Sequence, residues 1–101
     1  MKLITLLAIE SYKDDIKKLL QENGISVFSF TKIMGYRDNT LEAINSNWFG
    51  TEMNESESVL FIAFVDNSMV DKLFEKVDHF NAVESLKTKL HIASISIDKM
   101  N

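Results

Sequence analysis

Two apolar runs constrain this chain more than anything else in it: Leu3-Ile4-Thr5-Leu6-Leu7-Ala8-Ile9 and Ser58-Val59-Leu60-Phe61-Ile62-Ala63-Phe64-Val65. Both are rich in strand-forming residues and nearly continuous, so each presents apolar side chains to both faces of a sheet. Polar residues end them, Glu10-Ser11 after the first and Asp66-Asn67-Ser68 after the second. Behind each run stands a Ser-x-x-Asp spacing, Ser11 to Asp14 and Ser68 to Asp71, of the kind in which a hydroxyl caps a helix start. Helical periodicity follows at once, with Tyr12, Ile16, Leu19 and Leu20 in the first case and Met69, Val70, Leu73, Phe74, Val77 and Phe80 in the second. Asn23-Gly24 supplies the stop for the first helix.

The rest of the chain completes the pattern. From Ser26 to Tyr36 the residues alternate, with Phe28, Phe30, Met34 and Tyr36 on one face and Val27, Ser29, Thr31 and Ile33 on the other. This predicts a second strand. Residues Arg37 to Ser58 show no sustained period, and Leu41, Ile44 and Trp48 suit only one short helical turn there. Leu90 to Ile97 reads as the last strand. Ser11, Asp14 and Ile16 fall 57 residues before Ser68, Asp71 and Leu73, each set directly after an apolar strand. The order is βαββαβ with an internal half-repeat. It predicts an α+β, ferredoxin-like domain over residues 1–101, with a four-stranded antiparallel sheet and two helices on one face.

That architecture leaves one sheet face open, and the apolar runs do not tolerate it. Whichever face the helices cover, the other is expected to carry either Ile4, Leu6, Leu60, Ile62 and Phe64, or Leu3, Leu7, Ile9, Val59, Phe61 and Val65. Leaving five such side chains in water forgoes about 8–15 kcal/mol, at roughly 1.5–3 kcal/mol each. The whole stability of a domain is about 5–15 kcal/mol. The open face is therefore expected to be buried against further copies of the chain in a closed symmetric oligomer, unless the long excursion or a chain end covers it.

Composition narrows the partners. The formal net charge is −4 and the eleven basic residues form no stripe, which argues against nucleic acid. Without cysteine, disulfides and thiolate metal sites are excluded. The apolar runs are too short to span a bilayer, and Met1-Lys2 before Leu3 to Ile9 lacks a signal cleavage region, so a cytoplasmic protein without membrane insertion is expected.

The sequence resembles the PII-like family of small signalling proteins, related to the nitrogen-regulatory PII proteins and to CutA. The resemblance rests on Met1-Lys2-Leu3-Ile4, on the helix Tyr12 to Glu22 ending at Asn23-Gly24-Ile25, and on Thr31-Lys32-Ile33-Met34-Gly35-Tyr36-Arg37. The last looks like the base of the family's T-loop, where Gly35, Tyr36 and Arg37 match a Gly-aromatic-Gly-Arg pattern that lacks its second glycine. The loop that follows is shorter than a full T-loop and has no tyrosine to modify. Lys89-Leu90-His91-Ile92 aligns with the lysine and strand after the family's phosphate-binding B-loop, but Leu86-Lys87-Thr88 replace its glycines. The arginines of the family beyond the last strand have no counterpart before Asn101. ATP or ADP binding in the usual manner is thus unexpected, since without glycine the backbone does not approach a phosphate chain closely.

The resemblance implies a homotrimer that senses a small, anionic effector in clefts between subunits and regulates a partner, such as a transporter or metal-efflux system. Gly35, Tyr36, Arg37, Lys89, Lys32 and Lys87 are the candidate effector-binding residues, the cations because Arg and Lys grip anions. Trp48, Phe49, Glu52 and Glu55 are the candidates for the partner-binding loop, an aromatic pair within an acidic stretch. The competing reading of each is ordinary: aromatics packed over the sheet edge, charges solvated. His79 and His91 have no ligand-spaced companion, so no metal site is expected within one chain. No nucleophile elbow, paired-carboxylate signature or glycine phosphate loop is present, so catalysis is not expected. The alternative is a ferredoxin-like dimeric α+β barrel with small-molecule binding or enzymatic activity.

Overall fold

Residues 1–36, 55–83 and 89–101 are described by the computed structural model. They form β1 (Lys2–Ile9), a 3-10 turn (Glu10–Tyr12), α1 (Lys13–Glu22), β2 (Ser29–Tyr36), β3 (Glu55–Val65), a second 3-10 turn (Asn67–Met69), α2 (Val70–Val83) and β4 (His91–Ser96). The strands make one antiparallel sheet in the order β2-β3-β1-β4, which puts the two apolar runs in its centre. The α+β architecture expected from the pattern is the one found. The third strand starts at Glu55, earlier than the apolar run alone indicated, because its polar first residues pair with the end of β2: Tyr36 with Glu55 and Gly35 with Ser56.

The half-repeat is structural. Strand one leaves through Ile9 with φ −66° and ψ 151°, and strand three through Asp66 with φ −65° and ψ 146°. Each then makes a three-residue 3-10 turn before its α-helix. The expected serine caps are not made: Ser11 and Ser68 lie inside these turns, where the extended backbone of an N-cap is lost, and no side chain caps either start. The far end of α1 does follow its sequence signal. Gly24 adopts φ 82°, its N–H bonds Gln21 O, and Ile25 N–H reaches back to Leu20 O at 3.0 Å. This paired closure needs a left-handed residue, and glycine takes that conformation at least cost.

One face of the sheet carries Ile4, Leu6 and Ala8 with Val59, Phe61, Ala63 and Val65, all buried beneath Ile16 and Leu20 of α1 and Leu73 and Val77 of α2. The helices run antiparallel over it. Tyr12 meets Phe80 edge-on at 5.9 Å near one end, and Met69 stands beside Gly24 at the other.

The opposite face carries Leu3, Leu7 and Ile9 with Leu60, Ile62 and Phe64. This corrects both sets expected from the sequence, which joined each half of one strand to the wrong half of the other. The cause is register: Leu3 lies opposite Phe64, Thr5 opposite Ile62 and Leu7 opposite Leu60, so odd positions of β1 share a face with even positions of β3. Ile95, Leu3 and Phe64 form one row across three strands. Phe64 is 53% exposed and Ile95 48%. At the end of this face toward Ile9, the fully buried Ser58 hydroxyl finds no hydrogen-bond partner among the described residues.

Candidate functional site

The four candidate effector residues that are described fall on the two outer edges of the sheet. Lys32, Gly35 and Tyr36 belong to β2 at one edge. Gly35 is buried in the strand, while Tyr36 is 66% exposed at its end. Lys89 stands exposed just before β4, at the other edge. Two strands intervene, so the edges are about 14 Å apart at some 4.8 Å per strand. One chain does not bring Lys89 to Lys32 or Tyr36. Arg37, Lys87, Trp48, Phe49 and Glu52 lie outside the described residues, and Glu55 opens β3 opposite Tyr36.

Lys32 has a partner of its own. Its Nζ lies 3.0 Å from Glu10 Oε1, at the turn that follows β1. The hydrogen bond from Lys32 holds the Glu10 carboxyl below its usual range, with help from Glu57, and the same bond to Glu10 raises the Lys32 ammonium, with Glu57 adding to its field. The β2 edge therefore presents a lysine already ion-paired with Glu10, with Glu57 adding to its field. Sequence reasoning missed Glu10 and Glu57 because only the register of three strands, Lys32 beside Val59 and Ile9 beside Ser58, brings them together.

Above the same edge, Phe30 stacks on Phe61 with ring centroids 5.1 Å apart. The ammonium groups of Lys13 and Lys17, one turn apart on α1, stand 5.3 and 4.7 Å from the Phe30 centroid. Together with Lys32 they make the β2 edge the place where cations and exposed aromatic surface coincide.

At the β4 edge the approach of the chain is fixed. Asn81 of α2 donates to Leu90 O at 3.0 Å and accepts from Leu90 N–H at 2.9 Å, so the residue next to Lys89 is held by both its backbone groups. Lys89 thereby has a defined root, although its side chain is free to reach outward. Of the histidines, His79 is exposed on α2, and His91 lies on the open sheet face opposite Leu7. Among the described residues no three potential ligands gather for a metal ion, and no helix is long and apolar enough to cross a membrane.

No protein-family model and no curated protein matches this sequence. Solved structures do match its fold. CPII from Thiomonas intermedia K12, a nitrogen regulatory PII-like protein bound to ADP, AMP and bicarbonate, superposes with a TM-score of 0.63 over 99% of this chain and 94% of its own, at 15% identity. The chain has the PII-like fold. The apo form of CPII gives a TM-score of 0.61 over 95% and 89% of the two chains at 18% identity. A DUF3240 family protein from Shewanella baltica OS155 gives 0.65 over 99% and 92% at 19% identity. The likeness expected from the T-loop base and the β-strand order is thus present as a PII-like fold over almost the whole chain.

Proposed function

We propose that this chain is a PII-like regulatory protein. Three copies bury their open sheet faces against one another, an anionic effector binds where the β2 edge of one copy meets the β4 edge of the next, and residues 37–58 report its presence to a partner protein. One observation carries this reading: of the described candidates, Lys32, Gly35 and Tyr36 lie on one edge of the sheet and Lys89 on the other, and the face between them exposes Ile62, Phe64 and Ile95, which fits a site shared between copies. The PII-like fold of a neighbour bound to ADP, AMP and bicarbonate supports it. Within the cleft, Arg37, Lys87 and Lys89 supply the positive charge, Gly35 and Tyr36 shape the wall, and Lys32 is reserved by Glu10 unless the effector displaces that carboxylate. Bicarbonate is the best suited of the three ligands, because a small anion needs no glycine-lined cradle. Trp48, Phe49, Glu52 and Glu55 belong to the segment that meets the partner, for which a transporter or metal-efflux component is our candidate. Nothing in this reading calls for catalysis.

Light scattering coupled to gel filtration tests the assembly, with a mass near three times 11.6 kDa expected. A monomer would overturn it, and a dimer would favour the barrel alternative. Calorimetry with ADP, AMP and bicarbonate tests the cleft. Arg37→Ala and Lys89→Ala should each weaken binding, and unchanged affinity in both removes them from the site.

A further inference from the structure

Two carboxylates meet where β1 ends and β3 begins. Ile9 pairs with Ser58, so the next residue out of β1, Glu10, falls beside Glu57, and both line one open hollow of about 450 Å³ with Ile9 and Ser11. Their carboxyl groups are close enough for Glu57 to act on Glu10 directly. Like charges opposite one another on neighbouring strands weaken a sheet. What offsets them comes from a third strand. Lys32 lies on β2 beside Val59, two residues before Met34, which pairs with Glu57, and its Nζ is 3.0 Å from Glu10 Oε1. Lys13 adds to the field at Glu10, but its ammonium stands over Phe30 and forms no ion pair among the described residues.

The two partners of this ion pair are not equally accessible. The Lys32 side chain is 68% exposed and that of Glu10 only 25%, so an anion arriving from solvent meets the lysine first. Removal of the lysine leaves Glu10 facing Glu57. The position of Glu57 decides where that conflict is felt. Beyond it the β2–β3 ladder has only two pairs left, Gly35 with Ser56 and Tyr36 with Glu55, and residues 37–54 are strung between them. End pairs of a ladder open at the lowest cost, whereas the next helix-side residues of β3, Val59 and Phe61, are held in the core.

We propose that Lys32 is a latch on the end of the β2–β3 ladder. While it pairs with Glu10, the pairs Gly35–Ser56 and Tyr36–Glu55 stay closed; when an anion draws it away, the repulsion between Glu10 and Glu57 is no longer offset and those pairs open more often. This rests on the reading of the β2 edge as part of an effector site, and adds to it a route by which occupancy reaches residues 37–58.

Backbone hydrogen–deuterium exchange of the full chain tests the latch without any effector. Lys32→Met should speed exchange over Gly35–Tyr36 and Glu55–Glu57 about fivefold and leave His91–Ser96 unchanged. Lys32→Met/Glu57→Gln should return the rate to that of the wild type. Were Lys32 only a stabilising side chain, the second substitution would rescue nothing, and that result, or unchanged exchange in Lys32→Met, overturns the proposal. With bicarbonate, ADP or AMP at a concentration that calorimetry shows to be saturating, the same amides should speed up in the wild type but not in Glu57→Gln. A ligand that binds and leaves wild-type exchange unchanged also overturns the proposal, while the effector site stands. Should none of the three bind, the effector reading falls, and Lys32→Met with its rescue still decides the latch.

Discussion

Asn81 and Leu90 are joined by two hydrogen bonds, 3.0 and 2.9 Å long, through which one side chain of α2 satisfies both backbone groups of the residue that leads into β4. Leu90 is at the same time 2% exposed and part of the core. Asn81→Ala leaves its N–H and C=O unpaired in a partly buried place and is expected to cost about 1–3 kcal/mol. Asn81→Asp keeps the acceptor, loses the donor and should fall between the two. Urea denaturation at one fixed protein concentration measures both, and a loss below 0.5 kcal/mol (roughly the smallest net worth of such a bond) would show that the clamp is dispensable.

Gly24 separates conformational from steric cost. A Cβ placed there would meet only Met69 Cε, at 3.5 Å, which is ordinary contact. Gly24→Ala should therefore lose about 1–2 kcal/mol through its positive φ alone, and Gly24→Asn should lose less. For a chain of this size each kcal/mol lowers the melting temperature by roughly 4–8 °C. Equal melting of wild type and Gly24→Ala would mean that the turn relaxes.

The two sheet faces should respond differently to substitution. Phe61, 1% exposed under the helices, is expected to lose about 3–5 kcal/mol on change to Ala. Ile62→Lys and Phe64→Lys, on the other face, should lower the molecular mass from that of the proposed trimer while far-ultraviolet dichroism keeps its native shape. An unchanged mass in both lysine variants would show that this face is not the contact.

Removal of the buried Ser58 hydroxyl should be tolerated. Because it has no partner among the described residues, Ser58→Ala is expected to leave stability unchanged or to raise it by about 1 kcal/mol. A loss instead would mean that the hydroxyl has a partner outside the described residues.

Glu10 and Lys32 predict a pH dependence with a definite sign. The Glu10 carboxyl is lowered from its ordinary 4.5, so its contribution is complete above that value and is lost as pH falls through the lowered one. Lys32 is raised from 10.5, so its contribution is complete below that value and is lost as pH rises through the raised one. Carbon-detected NMR should place the Glu10 midpoint below 4.5 in the wild type and move it upward in Lys32→Met. High salt should shrink the difference, since the pair is open to solvent. Identical midpoints in the two proteins would sink the assignment.

The strands, the helices and their order were written in the sequence, because apolar periodicity reports which residues face a core and Gly24 reports where a helix stops. So was the need for something to cover two-sided strands such as Leu3–Ile9, since burial is a sum over side chains and requires no knowledge of contacts. Which side chains share the uncovered face was not legible, because it depends on whether Leu3 pairs with Phe64 or with its neighbour, and a slip of one residue inverts the face. Nor was the separation of Lys32 from Lys89 or the capture of Lys32 by Glu10. Those follow from strand order and register, and both are fixed by packing between segments far apart in the chain rather than by the residues of any one segment.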